Sequence, residues 1–326
     1  MRNYQFLFIL LLITIYFLLY SCKKDDNDNI PPVAKFIVNP QHGTLQTIFS
    51  FDATGTHDTE DSDNNLLIRW DWENDGLWDT EWTLEKTHAH QFKSERNYDV
   101  KLEVKDNEGL INSTTQIVTI FKPCPESPTV SWHGQTYNTV LIETQCWMQE
   151  NLNVGIMRHG PHSDNGIIEK RCYHNIVQNC DTSGGLYQWE EMMQYVLYEG
   201  SQGICPDGWH IPSYGEWKTL RNNHGGILSA GGKLKEAGTI HWDSPNAGAT
   251  NVSGFSALPA GFSWKDVYEE FHYQASGMGT IFWSSTNDNG NFFSTHGLSY
   301  IVESFEPWSS ANYEEKGYSV RCIKNQ

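Results

Sequence analysis

Acidic residues with the spacing of a cation-binding loop are the first candidates for chemistry in this sequence. Asp71, Glu73 and Asp75 alternate along the chain and are followed by Gly76, which is how a calcium-binding loop begins. The twelfth position of such a loop is Trp82, and an indole cannot supply the bidentate carboxylate required there. A glycine-containing hairpin turn and a calcium site therefore both stay open. The candidate calcium ligands are Asp71, Asp75 and Asp79.

Other patterns that could support metal binding or catalysis are incomplete. His88 and His90 are two residues apart, so a strand would place both imidazoles on one face, but no third zinc ligand is nearby in the sequence. No serine lies in the G-x-S-x-G arrangement of a nucleophile elbow. Glu190-Glu191 and Glu269-Glu270 are adjacent pairs, whose side chains point apart. We therefore predict a protein that is not an enzyme and that needs no cofactor, with calcium left open.

The amino terminus predicts export and a lipid anchor. An apolar run of 15 residues, 6–20, follows Arg2; it is shorter than a membrane span and has the length of a signal-peptide core. Ser21-Cys22 directly after it resembles a bacterial lipobox, which implies cleavage before Cys22 and lipidation of that residue. The polar tether that follows, 22–30, begins Cys-Lys-Lys-Asp-Asp and resembles the surface-export signal of Bacteroidetes-type lipoproteins. We expect attachment to the outer membrane, facing the cell exterior.

Composition limits the classes of partner. The chain has 326 residues, with 22 Lys and Arg against 40 Asp and Glu, giving a net charge of −18. Such an acidic chain repels phosphate backbones, so nucleic acid is excluded as a partner. The length fits about two domains. A Pro-rich linker, 122–128, separates two regions of different pattern, and the predicted domains are 31–122 and 123–326.

Residues 31–122 have the pattern of a β-sandwich. Short alternating segments bounded by turn residues predict strands at 35–38, 47–51, 66–72, 98–105 and 115–121. Three ordered blocks resemble the PKD (polycystic-kidney-disease-type) domain family: F-D-A-T-G-T-H-D at 51–58, R-W-D-W-E-N-D-G at 69–76 and Y-D-V-K-L-E-V-K-D-N-E-G at 98–109. The resemblance implies an all-β immunoglobulin-like sandwich.

Six of the seven cysteines lie in residues 123–326. In the oxidising compartment that an exported protein enters, disulfides are the default. Proximity favours Cys172–Cys180, Cys124 and Cys146 flank one predicted hairpin, and Cys205–Cys322 then remains. A metal site formed by Cys172, His174 and Cys180 with His159 or His162 is the alternative. The six cysteines are Cys124, Cys146, Cys172, Cys180, Cys205 and Cys322.

The second region is predicted to be α+β. Helical periodicity predicts a helix over 186–198, with Trp189, Met192, Met193 and Val196 on one face. A capping box, Ser213-x-x-Glu216, predicts a second helix over 217–223. After about residue 250 the pattern returns to short strands and glycine turns.

Six ordered blocks in this region resemble the Fibrobacter succinogenes major paralogous (FISUMP) domain family. They are Q-C-W-M-Q-E-N-L-N at 145–153, G-L-Y-Q-W at 185–189, C-P-D-G-W-H-I-P-S at 205–213, G-F-S-A-L-P-A-G at 254–261, F-W-S-S-T at 282–286 and G-Y-S-V-R-C at 317–322. The resemblance implies a fold similar to C-type lectins and implies no settled activity. We expect Trp209 to be buried beside a disulfide and Arg321 to pair with an acid in the interior.

The sequence predicts a surface-anchored binding or adhesion protein. The PKD region would be a spacer, and the second domain would recognise a glycan or a protein. Asn287-Asp288 is displaced from Trp283, unlike the Trp-Asn-Asp triplet of C-type lectins, so calcium-dependent sugar binding is not expected. An accessory protein or hydrolase acting on polysaccharide and a structural envelope component are the alternatives. The predicted ligand contacts are Trp242, Trp264 and Trp308.

Overall fold

The structure is a computed structural model that describes residues 29–160, 162–268, 270–287, 292–310 and 316–326. The predicted signal peptide and the lipidation site Cys22 lie outside the described residues. Within the described part, no helix has the length and apolar character to cross a membrane. The chain divides into two compact units, the first built mainly from residues 48–90 and 98–118 and the second from 119–326 with the short segments 42–47 and 91–97.

The amino-terminal region is an immunoglobulin-like β-sandwich. One sheet has the order β1-β3-β5, and the other has the order β2-β7-β6-β4. The strands are β1 (Ile37–Asn39), β2 (His42–Gly43), β3 (Phe49–Asp52), β4 (Leu67–Asp71), β5 (Thr87–His90), β6 (Asn97–Lys105) and β7 (Ile111–Ile120). All five strands that the sequence predicts are formed, with ends displaced by up to a few residues.

Alternation of side chains explains these sheets. Along β6, Tyr98, Val100, Leu102 and Val104 are buried, while the residues between them are not, as expected for a strand with one face on the core. Trp70 from β4 is fully buried in that core. Aromatic rings therefore fill much of the sandwich in place of a disulfide.

The second unit contains two larger sheets and a short parallel pair. A five-stranded sheet has the order β14-β21-β10-β9-β8, and a seven-stranded sheet has the order β13-β20-β15-β17-β18-β19 with β16 added to β15. The strands are β8 (Thr129–Trp132), β9 (Gln135–Ile142), β10 (Gln145–Met148), β11 (Ile156–Met157), β12 (Glu169–Lys170), β13 (Leu186–Tyr187), β14 (Trp209–His210), β15 (Ala260–Lys265), β16 (Phe271–Ser276), β17 (Gly279–Asn287), β18 (Phe293–Ser299), β19 (Glu306–Ser310), β20 (Lys316–Ser319) and β21 (Ile323–Lys324).

The helices are short, and one prediction about them is wrong. They are α1 (Val177–Ser183), α2 (Trp189–Met192), α3 (Tyr214–Asn223) and α4 (Ala230–Leu234). The predicted helix over 186–198 shrinks to α2, because its first residues join β13 and because Gln194 and Tyr195 have φ of 51° and 59°. Its predicted apolar face is buried except for Val196, which is 40% exposed. The capped second helix is confirmed as α3.

The chain passes from the seven-stranded sheet to the five-stranded sheet between β20 and β21, and Arg321 lies in that crossing. The Arg321 guanidinium is 1% exposed. Its Nη1 donates to Met148 O at 2.9 Å and to Phe255 O at 2.6 Å, while Nε and Nη2 donate to Asn151 Oδ1 at 3.0 and 2.9 Å. The hydrogen bonds of this cation go to backbone carbonyls and an amide, and no ion pair with a described acid is formed, although the charge of Glu150 acts on it electrostatically. Burial lowers the pKa of Arg321 to about 9, so it stays charged at neutral pH.

Two of the three predicted disulfides are formed. Cys172–Cys180 closes a short loop, and Cys205–Cys322 joins residues 117 positions apart beside Arg321. Bonding of Cys172 to Cys180 removes two thiolates from the alternative metal site. Trp209 is buried in the same apolar cluster as Cys205 and Cys322, as expected.

The predicted Cys124–Cys146 disulfide is not formed, and both residues are free cysteines. Leu141 on β9 donates its N–H to Lys122 O at 2.8 Å, so the segment leading to Cys124 lies along one edge of β9. Cys146 on β10 pairs with Leu141 across the other edge. The two backbones thus approach β9 from opposite sides, and the two thiols lie within hydrogen-bond reach of each other with no S–S bond between them. Burial and a hydrogen bond with Cys146 raise the pKa of the Cys124 thiol.

We predict that Arg321→Met destabilises the second unit by about 3 kcal/mol or more. Removing the guanidinium leaves Met148 O, Phe255 O and Asn151 Oδ1 buried without their donor, which costs more than the bonds themselves contribute. Urea unfolding followed by tryptophan fluorescence measures the change. Lys218→Met, on the exposed side of α3, is the control and should change stability by less than about 0.5 kcal/mol. Equal stability of the two variants would contradict the role assigned to Arg321.

Candidate functional site

A half-exposed tryptophan lies at the outer edge of the seven-stranded sheet. Trp308 is on β19, the end strand in the sheet order, and is 47% exposed. Gly297 on β18 lies directly under its ring: a Cβ at Gly297 would be 2.1 Å from Cζ3 and 2.4 Å from Cη2 of the indole. Because only glycine leaves this space, the indole can rest against the backbone of β18.

One surface depression beside Trp308, which we call the tryptophan cleft, combines aromatic and polar side chains. Its volume is about 670 Å³. Its aromatic lining comes from Tyr214, Phe292 and Trp308, and its polar lining includes Asn287, Ser294 and Ser309. Aromatic rings offer flat apolar faces, and amides and hydroxyls both donate and accept hydrogen bonds. Such a lining suits a ligand that is itself apolar on its faces and hydroxylated at its edges.

A second depression, the apolar groove, adjoins Trp308. Its volume is about 480 Å³. Apolar and aromatic side chains dominate its lining, among them Phe262, Met278, Ile281 and Ile301. Neither the tryptophan cleft nor the apolar groove has a carboxylate among its described lining residues. Acidic residues do lie nearby: Glu199 accepts from the cleft residue Thr286, and Glu306 lies two residues before Trp308 on β19.

Helix α3 brings Tyr214 to the tryptophan cleft. Ser213 caps the helix by accepting from Glu216 N, and Glu216 accepts from Ser213 N at 2.8 Å, so the capping box is complete. Tyr214 N then donates to Thr286 Oγ1 at 2.8 Å, which ties the first turn of the helix to the end of β17. The capping box thus makes Tyr214 the first residue of the helix, and the side chain of Tyr214 lines the cleft.

His210 links the same capping box to Asn325 through hydrogen bonds. His210 Nε2 lies 2.9 Å from Glu216 Oε1, and its Nδ1 lies 2.7 Å from Asn325 Oδ1. Burial alone would lower the pKa of His210, but the hydrogen bonds to Glu216 and Asn325 outweigh it and raise that pKa. Burial would raise the pKa of Glu216, but hydrogen bonds from His210 and Ser213 lower it. The charged pair is the form that the fold favours.

The structure separates the three predicted tryptophan contacts. Trp308 lines both depressions. Trp242 is only 1% exposed, and its Nε1 donates to Ala257 O at 2.9 Å, so its prediction as a surface contact is wrong. The indole packs instead in an apolar cluster that includes Leu234 and Phe255. Trp264 is half-buried, stacks on His272 with ring centroids 4.6 Å apart, and lines neither depression.

The candidate calcium ligands act within their own hairpin. Asp71 accepts from the N–H groups of Asp75 and Gly76, and Asp79 accepts from Trp72 N at 2.7 Å. The carboxylates that come within 4.8 Å of one another are those of Asp71, Glu73 and Asp79, so Asp75 is not in the group. These bonds fit the hairpin-turn interpretation, and calcium binding stays a prediction.

The two histidines of β5 also have a packing role. His88 and His90 both lie beside Trp72, with ring centroids 6.0 and 4.5 Å from it. Neither belongs to the groups of three potential metal ligands found among the described residues. Their spacing, which suggested zinc, instead lets two imidazoles cover one indole.

Sequence reasoning missed Tyr214, Phe292 and Gly297. Tyr214 had a usable signal, because it follows the N-cap residue Ser213. Gly297 also had one, since an isolated glycine within a strand marks a close approach of other atoms. Phe292 had none, because its place in the cleft depends on the pairing of β17 with β18.

Two family models match the chain. The Fibrobacter succinogenes major domain matches residues 140–324, which is more than half of the sequence. The chain belongs to the Fibrobacter succinogenes major domain family. The PKD domain model matches residues 29–121, the region of the β-sandwich. Tyr214, Gly297 and Trp308 all lie within the Fibrobacter succinogenes major domain.

Solved structures similar to this chain align with it at low TM-scores. The PKD1 domain of Vibrio anguillarum Epp is 26% identical, with 28% of this chain and 96% of that chain covered and a TM-score of 0.23. The PKD domain of an M14-like peptidase from Thermoplasmatales archaeon SCGC AB-540-F20 is 23% identical, with coverages of 29% and 99% and a TM-score of 0.24.

A structure titled for promiscuous carbohydrate-binding modules of the β-sandwich superfamily is 11% identical, with coverages of 91% and 93% and a TM-score of 0.28. TM-scores of this size do not establish a shared fold. No curated protein matches the chain.

We predict that the His210–Glu216 pair stabilises the domain most between pH 4.5 and 6.5, the ordinary pKa values of the two groups. Because the folded pKa of His210 is raised, its contribution is complete below 6.5 and is lost as pH rises through that raised value. Because the folded pKa of Glu216 is lowered, its contribution is complete above 4.5 and is lost as pH falls through that lowered value.

Calorimetry of the parent and His210→Gln from pH 4 to 9 checks this dependence. The difference in stability should be about 1 kcal/mol within the window and should shrink on both sides. Lys218→Met serves as the matched control and should show a pH-independent difference. A constant difference for His210→Gln as well would refute the assignment.

Proposed function

We propose that this chain is a non-enzymatic recognition protein whose Fibrobacter succinogenes major domain binds glycans in the tryptophan cleft. The observation that carries the proposal is the half-exposed indole of Trp308, which rests on Gly297 at the rim of a cleft of about 670 Å³. Burying one face of an indole against a backbone leaves its other face for a ligand. Sugar rings present flat patches of C–H groups that match such a face.

The polar part of the cleft supports a glycan over a purely apolar ligand. Asn287, Ser294 and Ser309 line the cleft beside the aromatic rings. Amide and hydroxyl groups can each donate and accept, so they can serve sugar hydroxyls in either sense. A few polar groups among aromatic walls are typical of small-molecule sites.

We propose that the whole chain holds this domain at the cell surface. Cys22 would carry the lipid, the PKD sandwich would be the spacer, and the C-type-lectin-like second domain would be the recognition head on the outer face of the outer membrane. The polar stretch 23–29 directly after Cys22 supports this arrangement, because it offers no apolar side chain to bury.

Protein ligands are the second candidate, favoured by the apolar groove. A role as accessory to a polysaccharide hydrolase is compatible with the same cleft.

A glycan array probed with the full chain in detergent tests the recognition role. We expect Trp308→Ala to weaken binding about tenfold or more, since a stacked aromatic contact contributes about 0.5–1.5 kcal/mol beyond burial. Gly297→Val should weaken binding similarly, because its side chain occupies the space of the indole while every cleft side chain remains. Trp264→Ala is the matched control and should bind like the parent. Glycan binding that ignores both Trp308→Ala and Gly297→Val would place the site elsewhere.

Labelling with an alkynyl fatty acid tests the anchor. The parent should incorporate the label and sediment with outer membranes. Cys22→Ser should do neither, because the lipid is attached through the sulfur of Cys22 and serine has no sulfur. Antibody binding to intact cells then reports the outward face. Lys24→Ala is the control and should remain labelled. Unchanged labelling of Cys22→Ser would exclude lipidation at this residue.

A further inference from the structure

A buried cation lies behind the tryptophan cleft. Arg221 is on α3, seven residues after Tyr214 and therefore two turns along the same face of the helix. It is 3% exposed, and neither Nε nor Nη1 has a hydrogen-bond partner. Its guanidinium lies 6.0 Å from the centroid of the Tyr214 ring, which forms part of the cleft lining. In the described part of the chain, no carboxylate forms an ion pair with Arg221.

The neighbouring histidine is uncharged and adds no second cation. His296 is fully buried, both of its ring nitrogens lack a hydrogen-bond partner, and its ring lies 5.6 Å from that of Tyr214. It pairs with Pro307 across β18 and β19, and Pro307 lines the cleft. Burial and the charge of Arg221 lower the pKa of His296 to about 3, so the imidazole is neutral at physiological pH.

These contacts leave Arg221, beside the cleft, with no ion pair to any described carboxylate. The net charge of the chain is −18, yet no described lining residue of the cleft is acidic, and a carboxylate at its edge is that of Glu199, which accepts from the lining residue Thr286. An anionic group entering the cleft would feel the guanidinium through the Tyr214 ring, and because the cleft is open to solvent, dissolved salt would screen this attraction in part.

We infer that the tryptophan cleft selects glycans that carry an anionic group, a carboxylate or a sulfate, and that Arg221 supplies the selectivity. This inference rests on the proposed glycan-binding function. Arg221 acts through its field from behind Tyr214, as a specificity-determining residue, while Trp308 supplies the stacking contact. Carboxylated and sulfated sugars share the feature that the site would recognise, which is a negatively charged group on a hydroxylated ring.

The test uses the full chain in detergent and matched pairs of oligosaccharides. The carboxylate arm compares oligogalacturonides with their methyl esters, and the sulfate arm compares chondroitin sulfate oligosaccharides with desulfated chondroitin treated to esterify its carboxylates. Titration calorimetry should show about tenfold tighter binding of the charged member in at least one arm. That preference should decline as salt is raised.

Variants of Arg221 separate charge from structure. Arg221→Gln should abolish the preference and leave the affinity for the uncharged member unchanged, whereas Arg221→Lys should retain most of the preference. Thermal unfolding identifies a variant that fails to fold, and in that case the salt dependence of the parent decides.

Three outcomes are distinguishable. Preference for the charged member, reduced by salt and lost in Arg221→Gln, supports the inference. Equal binding of charged and uncharged members by the parent overturns it and leaves the proposed glycan binding intact. Failure of the parent to bind any glycan, on the array or in either arm, overturns both.

Discussion

The second unit depends on one buried cation. Arg321 lies where the chain passes from the seven-stranded to the five-stranded sheet, and its guanidinium joins the end of β10, the turn at Phe255 and the amide of Asn151. Asn151 in turn donates to the backbone oxygen of Ser183, the last residue of α1, at 2.9 Å. The adjacent Cys322 is bonded to Cys205. Because a guanidinium directs its donors in one plane, these segments can meet in only one arrangement.

Two buried cations of this domain donate to carbonyl oxygens and form no hydrogen bond with a described carboxylate. Lys235 repeats the pattern of Arg321: it is fully buried, and its Nζ donates to Ala247 O, Ser299 O and Val302 O at 2.9–3.0 Å. Burial lowers the pKa of Lys235 to about 8. Arg221 departs from this pattern, since two of its nitrogens have no partner. Arg171 also has two nitrogens without a partner, but Arg221 lies beside the Tyr214 ring of the tryptophan cleft, which is why Arg221 is assigned a role in ligand selection.

The tryptophan cleft shows how local and long-range structure combine. The capping box at Ser213 and Glu216 starts α3 by itself, because its two hydrogen bonds form between residues three apart. The bond from Tyr214 N to Thr286 Oγ1 joins that helix to β17, 72 positions later. Pairing of β18 with β19 then sets the Trp308 indole against Gly297. The cleft exists only when all three events have occurred.

The sequence by itself determined what repeats over short distances. Alternation predicted the strands of the sandwich, the capping box predicted α3, and proximity in the sequence predicted Cys172–Cys180. Cys205–Cys322 was reached by elimination, after a Cys124–Cys146 pairing that is not formed. Tertiary structure alone decided three outcomes. Trp242 is buried, Cys124 and Cys146 stay free thiols, and the acceptors of the Arg321 hydrogen bonds are carbonyl and amide oxygens. Those outcomes depend on strand order and on which segments fold over one another. Residues far apart in the chain set them, so no local pattern of residue types could encode them.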